Sequence, residues 1–503
     1  MTTDQHTSYP SGQPRRTHAN MRASQDRLKE TSMMDTPAPD VATTYDVAVI
    51  GAGPAGTAAA LRAAELGARV VVLEADRLGG TCVNTGCVPT RVLAKTARMM
   101  REVRTAHAYG IAVRLEDIDW PTTVARVQQR VDKVRSIKRE AQRFASAGID
   151  LILEGKARFV DANTLQLDSG RRVTARSVII CVGGHSRRLP IPGAELATVP
   201  EHVLDLPALP KSVAIIGAGN TGAQLATILS SFGSAVTLLD LAPRVLMASD
   251  GAISAAIARA FREQGMVVEE GIEGVERLEQ ADDGSIVLHW RASGQPVEAV
   301  FDTVIMATGW PADVEDLGLA QAGLETVRSA IPVDPQFRTA ASHIFAVGDA
   351  NGSDMLVQAA NFEGEVAAEN AVLGTNRRSP HQLLPAGGFT DPDYAGVGWT
   401  EDRARQSDPL CVVAVVPFTS LDRAVIDDRE TGFLKLIADR RREVILGAHA
   451  VGENAVEVIQ SVTTAMAASV EVSTLASVKF AYPTYSAIIG MAARELLRVP
   501  ADN

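Results

Sequence analysis

At 503 residues, with 46% hydrophobic and 22% charged side chains, the chain is long enough to bury the cores of about three or four domains. A net charge of −11 argues against nucleic acid and anionic membrane surfaces as partners. Four cysteines are no extracellular disulfide framework, the start lacks a basic-then-apolar signal pattern, and no apolar run approaches a membrane span, so a cytoplasmic location is expected.

Residues 1–43 are rich in Thr, Ser, Pro, Gln and charge and lack periodicity, which reads as disorder. Met33 or Met34 stands as an alternative start. Order begins with a strand, Tyr45–Ile50, followed by Gly51-Ala52-Gly53-Pro54-Ala55-Gly56 and an Ala-rich helix to about Gly67. A second strand, Ala68–Leu73, ends at Glu74. This is a dinucleotide-binding βαβ fingerprint: the glycines allow a tight turn and let helix N–H groups approach a pyrophosphate, and Glu74 is placed for an adenosine ribose. An ordinary Gly-rich turn is the alternative, but the flanking strand, helix and acid favour the fingerprint.

Directly behind it stands Gly79-Gly80-Thr81-Cys82-Val83-Asn84-Thr85-Gly86-Cys87-Val88-Pro89. On a regular helix, residues five apart are separated by about 7.5 Å of rise and face different sides, beyond disulfide geometry. Asn84 and Gly86 permit an irregular turn that closes the gap. Two buried thiols or half of a zinc site are the alternatives, yet no other Cys or His falls at ligand spacing, and no metal site is expected. Cys181 and Cys411 sit in apolar, strand-like runs and are expected to be buried.

A second fingerprint follows: the strand Ser212–Ile216, the loop Gly217-Ala218-Gly219-Asn220-Thr221-Gly222, a helix to about Phe232, and Val236–Leu239 leading to Asp240. Two fingerprints imply two dinucleotides. Further on, Ile179–Gly184, Val304–Gly309 and Ile344–Asp349 are apolar strand-turn segments, and Met355-Leu356-Val357-Gln358 opens a helix. From about residue 380, Phe389–Pro392, Val397–Thr400 and Glu430–Leu436 read as antiparallel-strand material, followed by an apolar helix over about 451–468.

GGTCVNTGCVPTR behind such a fingerprint resembles the redox-disulfide motif of the pyridine nucleotide–disulfide oxidoreductases, the family of dihydrolipoamide dehydrogenase, glutathione reductase and mercuric reductase. The resemblance runs from residue 44 to about 498. It implies an α/β fold with two Rossmann-like dinucleotide-binding domains and a C-terminal α+β dimerisation domain. The expected division is a disordered extension over 1–43, an FAD-binding domain over 44–192, a nicotinamide-nucleotide domain over 193–312, the second part of the FAD domain over 313–378, and an interface domain over 379–503. FAD is assigned to Gly51, Gly53, Ala55, Gly56, Glu74, Thr81, Ala157, Gly183, Asp349 and Leu356. The nicotinamide nucleotide is assigned to Gly217, Gly219, Gly222, Asp240 and Gly309. Asp240 favours NADH by repelling a 2′-phosphate, while Arg244 in the same turn weakens that preference. The resemblance further implies a homodimer whose active site is completed by the partner subunit, with Cys87 the thiolate nearest the flavin and Cys82 the thiol that meets substrate.

The departures from the family pattern bear on mechanism. The usual His-Pro-Thr followed by Ser-Glu reads Tyr482-Pro483-Thr484-Tyr485-Ser486-Ala487, so the acid–base dyad is missing. Tyr482 either takes its place as a hydrogen-bond donor or is a packed interface aromatic. The family's Lys after the second cysteine is Arg91, its partner Glu is Gln224, and the Arg after the second Gly-Thr-Gly-like turn is Trp310. Mercuric reductases also use a Tyr near the C-terminus, but their terminal Cys pair has no counterpart in Arg498–Asn503. The expected activity is electron transfer from a nicotinamide nucleotide through FAD and Cys82–Cys87 to a small acceptor (a disulfide, soft metal ion or quinone), or the reverse thiol oxidation. A non-catalytic dimeric flavoprotein acting in assembly or sensing is the alternative.

Overall fold

The computed structural model describes residues 44–114, 117–378 and 383–499. The expected extension over 1–43, the 378/379 boundary and the end beyond Val499 lie wholly or partly outside these residues. The chain starts in a parallel sheet because β1 (Thr44–Ile50) and β2 (Val70–Leu73) are apolar on both faces, as a sheet covered on both sides requires. Helix α1 (Pro54–Glu65) connects them, with Pro54 at its first turn. Two helices carrying the cysteines follow, α2 (Gly80–Asn84) and α3 (Cys87–Thr105), then α4 (Trp120–Lys138) and α5 (Glu140–Ser146).

Strands β3 (Asp150–Ile152), β4 (Ala157–Asp161), β5 (Thr164–Leu167) and β6 (Arg172–Ile180) complete a sheet of order β3-β2-β1-β6-β5-β4. Nine-residue β6 is shared along its length. Its start pairs antiparallel with β5, and Val178–Ile180 pair parallel with a strand that arrives much later in the chain.

The chain then builds a second parallel sheet. Strands β7 (Ser212–Ile216), β8 (Ala235–Asp240) and β9 (Val267–Glu270) alternate with α6 (Asn220–Phe232) and α7 (Gly251–Glu263). An antiparallel meander of β10 (Gly274–Gln280), β11 (Ile286–Ala292) and β12 (Gln295–Phe301) intervenes before β13 (Thr303–Met306) joins beside β7. Strand β14 (Ile344–Ala346) returns to β6 of the first sheet, and α8 (Val357–Leu373) packs along α1. That packing is close because α1 presents Ala55, Ala59, Ala60 and Ala63, while Gly364 of α8 lies against the Ala55 carbonyl with no room for a Cβ.

A third, antiparallel sheet has the order β15-β16-β19-β18-β17. Its strands are β15 (Ala386–Gly388), β16 (Tyr394–Gly398), β17 (Val412–Pro417), β18 (Phe433–Ala438) and β19 (Ile445–Val451). Helices α9 (Glu401–Ser407), α10 (Asp422–Ile426), α11 (Ala455–Ala467), α12 (Val472–Ser477) and α13 (Ala487–Arg498) accompany it. Two expectations need correction. Phe389–Pro392 connects β15 to β16 rather than forming a strand, and the long helix starts at Ala455 because Val451 is still paired in β19. Cys181 and Cys411 are both buried, as expected.

A buried polar cluster ties the second sheet's α7 to the third sheet. Asp250 is 1% exposed; it caps α7 through the Ala252 amide (3.0 Å), accepts from the Glu401 amide (2.9 Å) and meets Lys435 Nζ at 2.7 Å. These bonds, against the cost of burial, hold the Asp250 carboxyl below its ordinary value. Such a carboxylate contributes stability above its unfolded pKa and loses it as pH falls through the folded one. Removing one member of a buried pair costs about 3–5 kcal/mol. Lys435→Met should therefore lower the free energy of unfolding, from denaturant titration, by an amount of that order at neutral pH, with the deficit shrinking in acid. A deficit under about 1 kcal/mol would mean that the ammonium is not the partner that holds Asp250.

Candidate active site

The two glycine loops are built alike. Gly51 and Gly217 have φ of +96° and +106°, and a Cβ on either would overlap the backbone of the crossing segment, at Cys181 or Ala307. Gly56 and Gly222 each lie against the carbonyl of their loop's first glycine. The acids close the loops: Glu74 accepts from the Ala52 amide at 2.7 Å and Asp240 from the Ala218 amide at 2.5 Å, both across 22 residues. Each acid's second oxygen takes the amide two residues on, Asp76 or Ala242. A carboxylate has about four acceptor sites, so both retain capacity for ribose hydroxyls. Gly53 and Gly219 are extended, with no atom closer than 3.8 Å to an added Cβ, and neither following helix has a side-chain cap. Open backbone at an uncapped helix N-terminus is what a pyrophosphate needs. The residues present therefore fit two dinucleotides.

The cysteine segment docks directly on the first loop. The Gly79 amide donates to the Ala52 carbonyl (3.0 Å), and a Cβ on Gly80 would stand 2.8 Å from Gly53 Cα. The chain breaks at Thr85–Gly86 between α2 and α3, bringing Cys82 and Cys87 into hydrogen-bonding contact as thiols. Gly86 is not left-handed (φ −110°); it is needed because its amide reaches the Thr81 carbonyl at 2.7 Å and a Cβ would crowd Thr81. Asn84 contributes by hydrogen bonding, not by turn conformation. Its amide nitrogen donates to the Gly80 carbonyl (2.9 Å) and its oxygen accepts from Arg135 of α4 (2.9 Å).

The two thiols are inequivalent. The hydrogen bond from Cys82, aided by Arg91 and opposed by burial, lowers the Cys87 thiol to about 6. Cys82 is pushed well above the thiol range, first by its bond to Cys87 and then by burial. Cys87 is also the first residue of α3, where the helix dipole favours a thiolate. Lys138 and Glu140, on either side of the α4–α5 kink, act on Cys82 with opposite sign. Both line a cavity of about 290 Å³ with Pro54, Thr57, Arg62 and Arg143.

Arg91 is not surface-facing. Its guanidinium donates to Gln224 Oε1 (2.6 Å) on α6 and stacks 3.4 Å from the centre of the Phe389 ring. It therefore has partners, but both are neutral. Among nearby carboxyls it feels Asp393, which burial pushes up to about 7. Gln224 also accepts from the Phe389 amide (3.3 Å) and donates to the Asn220 carbonyl (2.8 Å), while the Asn220 side chain accepts from the Tyr394 hydroxyl (2.7 Å). Sequence reasoning missed Phe389, Asn220, Tyr394, Arg135 and Lys138 as site residues. A separation such as the 174 residues between Asn220 and Tyr394 leaves no local signal.

Gly183 (φ +74°) and Gly309 (φ +126°) lie where the chain crosses between the two parallel sheets, and Asp349 follows β14. Leu356 precedes the first residue of α8, and Ala55 lies in the α1–α8 packing. Ala157, by contrast, is an apolar core residue opening β4. Tyr482 is 77% exposed and hydrogen-bonded to Asp422, which raises its pKa. Tyr485 is a core residue: its ring packs on Phe418, and its hydroxyl donates to Asp427 (3.1 Å). Among the described residues, one group brings potential metal-ligand atoms together, His185, Asp313 and Glu315; it is solvent-accessible and has no buried ligand.

Comparison with known proteins places this geometry. The model of the family described as pyridine nucleotide-disulphide oxidoreductase matches residues 45–364, and that of its dimerisation domain matches residues 384–493. The chain is 32% identical to a dihydrolipoyl dehydrogenase of Geobacillus stearothermophilus, over 92% of this chain and 98% of that protein. It is 32% identical to a mercuric reductase of Bacillus cereus, over 84% and 67%. Among solved structures, the Cu(II) complex of the HOCl-induced flavoprotein disulfide reductase RclA from Escherichia coli superposes with a TM-score of 0.80 at 26% identity, covering 90% of this chain and 99% of that one. The chain belongs to the pyridine nucleotide–disulfide oxidoreductases and is an FAD-dependent enzyme of that family.

Proposed function

We propose that the enzyme uses NADH to reduce the Cys82–Cys87 pair and passes the electrons to a small acceptor that needs no proton from an interface histidine, soft metal ions foremost. The observation that carries this reading is the inequivalent thiol pair seated on the first glycine loop, with the Cys87 thiol lowered and the Cys82 thiol raised. FAD, when bound, supplies the relay between nicotinamide and disulfide. Gly51, Gly53, Gly56 and Glu74 would hold its adenosine half, and Asp349 its ribityl chain. Cys87 holds negative charge, which Arg91 stabilises, and Cys82 is the thiol that meets the acceptor. Reoxidation of the dithiol to the disulfide delivers two electrons. These serve one two-electron acceptor or two one-electron ions such as Cu(II). The mercuric reductase relative and the copper-bound structural neighbour support a metal ion, since soft ions are bound by thiolates.

We also infer a homodimer. The dimerisation-domain match supports it, as does an exposed apolar surface of Val425, Ile426 and Tyr482 on and beside α10. A reducing, cytoplasmic compartment suits a cysteine pair that must cycle.

Anaerobic NADH should generate a long-wavelength thiolate–flavin absorbance. Cys87→Ser should abolish it, and Cys82→Ser should show it without reductant. In Cys82→Ser the band should be lost on acidification with a midpoint below the ordinary thiol range, and Arg91→Gln should raise that midpoint, because the Arg91 charge lowers the Cys87 thiol. Two free thiols at these positions in the air-oxidised enzyme would contradict the assignment.

For the nucleotide, Asp240 faces Glu270 on the neighbouring strand, and Arg244 is folded onto the Met247 and Ser249 carbonyls. Glu270 is ion-paired with Arg262 at 2.6 Å, so the carboxylate that a 2′-phosphate would meet is Asp240. Juxtaposed like charges cost several kcal/mol, so kcat/KM should favour NADH over NADPH on the order of a hundredfold. An NADPH preference would show that Arg244 turns outward and dominates.

The acceptor reading predicts slow turnover of lipoamide and glutathione disulfide, because alkyl thiolates leave with a proton that general acids deliver about 10²–10⁴-fold faster. Tyr482 is a poor base whose pKa Asp422 raises further, and Tyr485 is committed to Asp427 in the core. In NADH oxidation assays, Cu(II), Hg(II) and a quinone should outpace both disulfides. Tyr482→His with Ala487→Glu should raise disulfide turnover. Fast lipoamide turnover by the unaltered enzyme would overturn this choice of acceptor.

A further inference from the structure

The two segments that cross between the parallel sheets are zipped together. The Arg187 amide donates to the Gly309 carbonyl (3.0 Å), His185 to Pro311 (3.1 Å), and Asp313 to Gly183 (3.0 Å), while the Thr308 hydroxyl donates to the Arg187 carbonyl (2.8 Å). Trp310 stands in the middle of this ladder. Its indole lies on Gly184, where a Cβ would overlap the ring nitrogen, and its Nε1 donates to Asp349 Oδ2 at 2.8 Å. Burial raises the Asp349 carboxyl, and the indole bond works against that shift.

We infer that Trp310 is a positioning residue for the flavin. Its indole N–H pins Oδ2 of Asp349 and leaves Oδ1 as the oxygen for a ribityl hydroxyl, so the crossing ladder sets how that carboxylate is presented. The inference rests on the assignment of Asp349 to FAD. An indole suits this role because it donates without accepting, so it holds a carboxylate oxygen and cannot take the ribityl hydroxyl's proton in the carboxylate's stead. Its rigid ring is fixed by the backbone of two segments, whereas a flexible cation would bring charge as well as a donor. The glycine at 184 has a matching reason to exist, because any larger residue would displace the ring from Asp349.

The test is a double-mutant cycle read by FAD affinity, with apoprotein reconstituted and flavin fluorescence titrated. Trp310→Phe keeps the ring and removes the donor. A hydrogen bond to a charged group is worth enough that FAD Kd should rise roughly tenfold or more. Asp349→Ala should weaken FAD by at least as much, and Trp310→Phe added to Asp349→Ala should change Kd less than twofold, because the bond is already gone. If Trp310→Phe costs the same in both backgrounds, the indole only packs, and the inference is wrong. If Trp310→Phe is silent while Asp349→Ala weakens FAD, the inference fails and the assignment of Asp349 stands. If Asp349→Ala is itself silent, the assignment fails and the inference with it. Should Trp310→Phe not fold, Trp310→His, which keeps a ring donor, should retain FAD within about threefold in the same titration, and a larger loss overturns the proposal.

Discussion

The contact between Gly80 and Gly53 leaves room for no side chain on Gly80, and the site depends on it. It seats the cysteine segment on the loop built for a dinucleotide, so the first helix after the break must start within reach of whatever that loop holds. Helix α3, which follows the break, reaches the second nucleotide-binding unit, where Arg91 meets Gln224 on α6. The two helices of the cysteine segment therefore span the glycine-loop units, α2 docked on the first and α3, with Cys87 at its first residue, on the second. Displacing Gly80 by even the width of a methyl group would shift the thiol, the guanidinium and the break between α2 and α3 together, because protein interiors are too densely packed to absorb such a shift locally.

Charge in this region is arranged around a guanidinium whose closest partners are uncharged. Gln224 satisfies one Arg91 donor without neutralising it, and Phe389 offers a π face, which desolvates the cation while still attracting it. Asp393 is the carboxyl that could compensate, but burial raises it to about 7, so at neutral pH it carries only part of a charge. Net positive potential is left for Cys87. That potential adds to the larger effect of the hydrogen bond from Cys82 in lowering the Cys87 thiol to about 6.

Much of this fold was legible because it is local. Both βαβ fingerprints lie within short windows, their acids appear where the motif places them, and the break at Gly86 follows from two cysteines that no regular helix can join. What could not be read was long-range. Nothing near residue 91 announces Phe389, nothing near 220 announces Tyr394, and the partner of Asp349 was visible only as an unexplained Trp at 310. Phe389–Pro392 reads as strand by composition, yet the tertiary structure uses it as a connector that delivers the ring to Arg91. Propensity is blind to which of two extended segments will find a partner, since burial and cross-strand packing decide that.

The substitutions at 482, 487, 91 and 224 form one pattern. Losing a histidine–glutamate dyad removes a proton carrier; replacing lysine–glutamate by arginine–glutamine removes a buried acid and fixes the remaining charge, because arginine keeps its proton throughout the physiological range. Both changes take titrating groups out of the electron path. A site without that dyad is poorly suited to acceptors whose reduction is gated by protonation and better suited to those that take electrons directly from a thiolate. The hydrogen bonds at 482 and 485 point the same way: each tyrosine is paired with an aspartate that raises its pKa, so neither is poised to act as a base. Around Cys82 itself the charges of Lys138 and Glu140 act with opposite sign, so neither replaces the missing proton carrier.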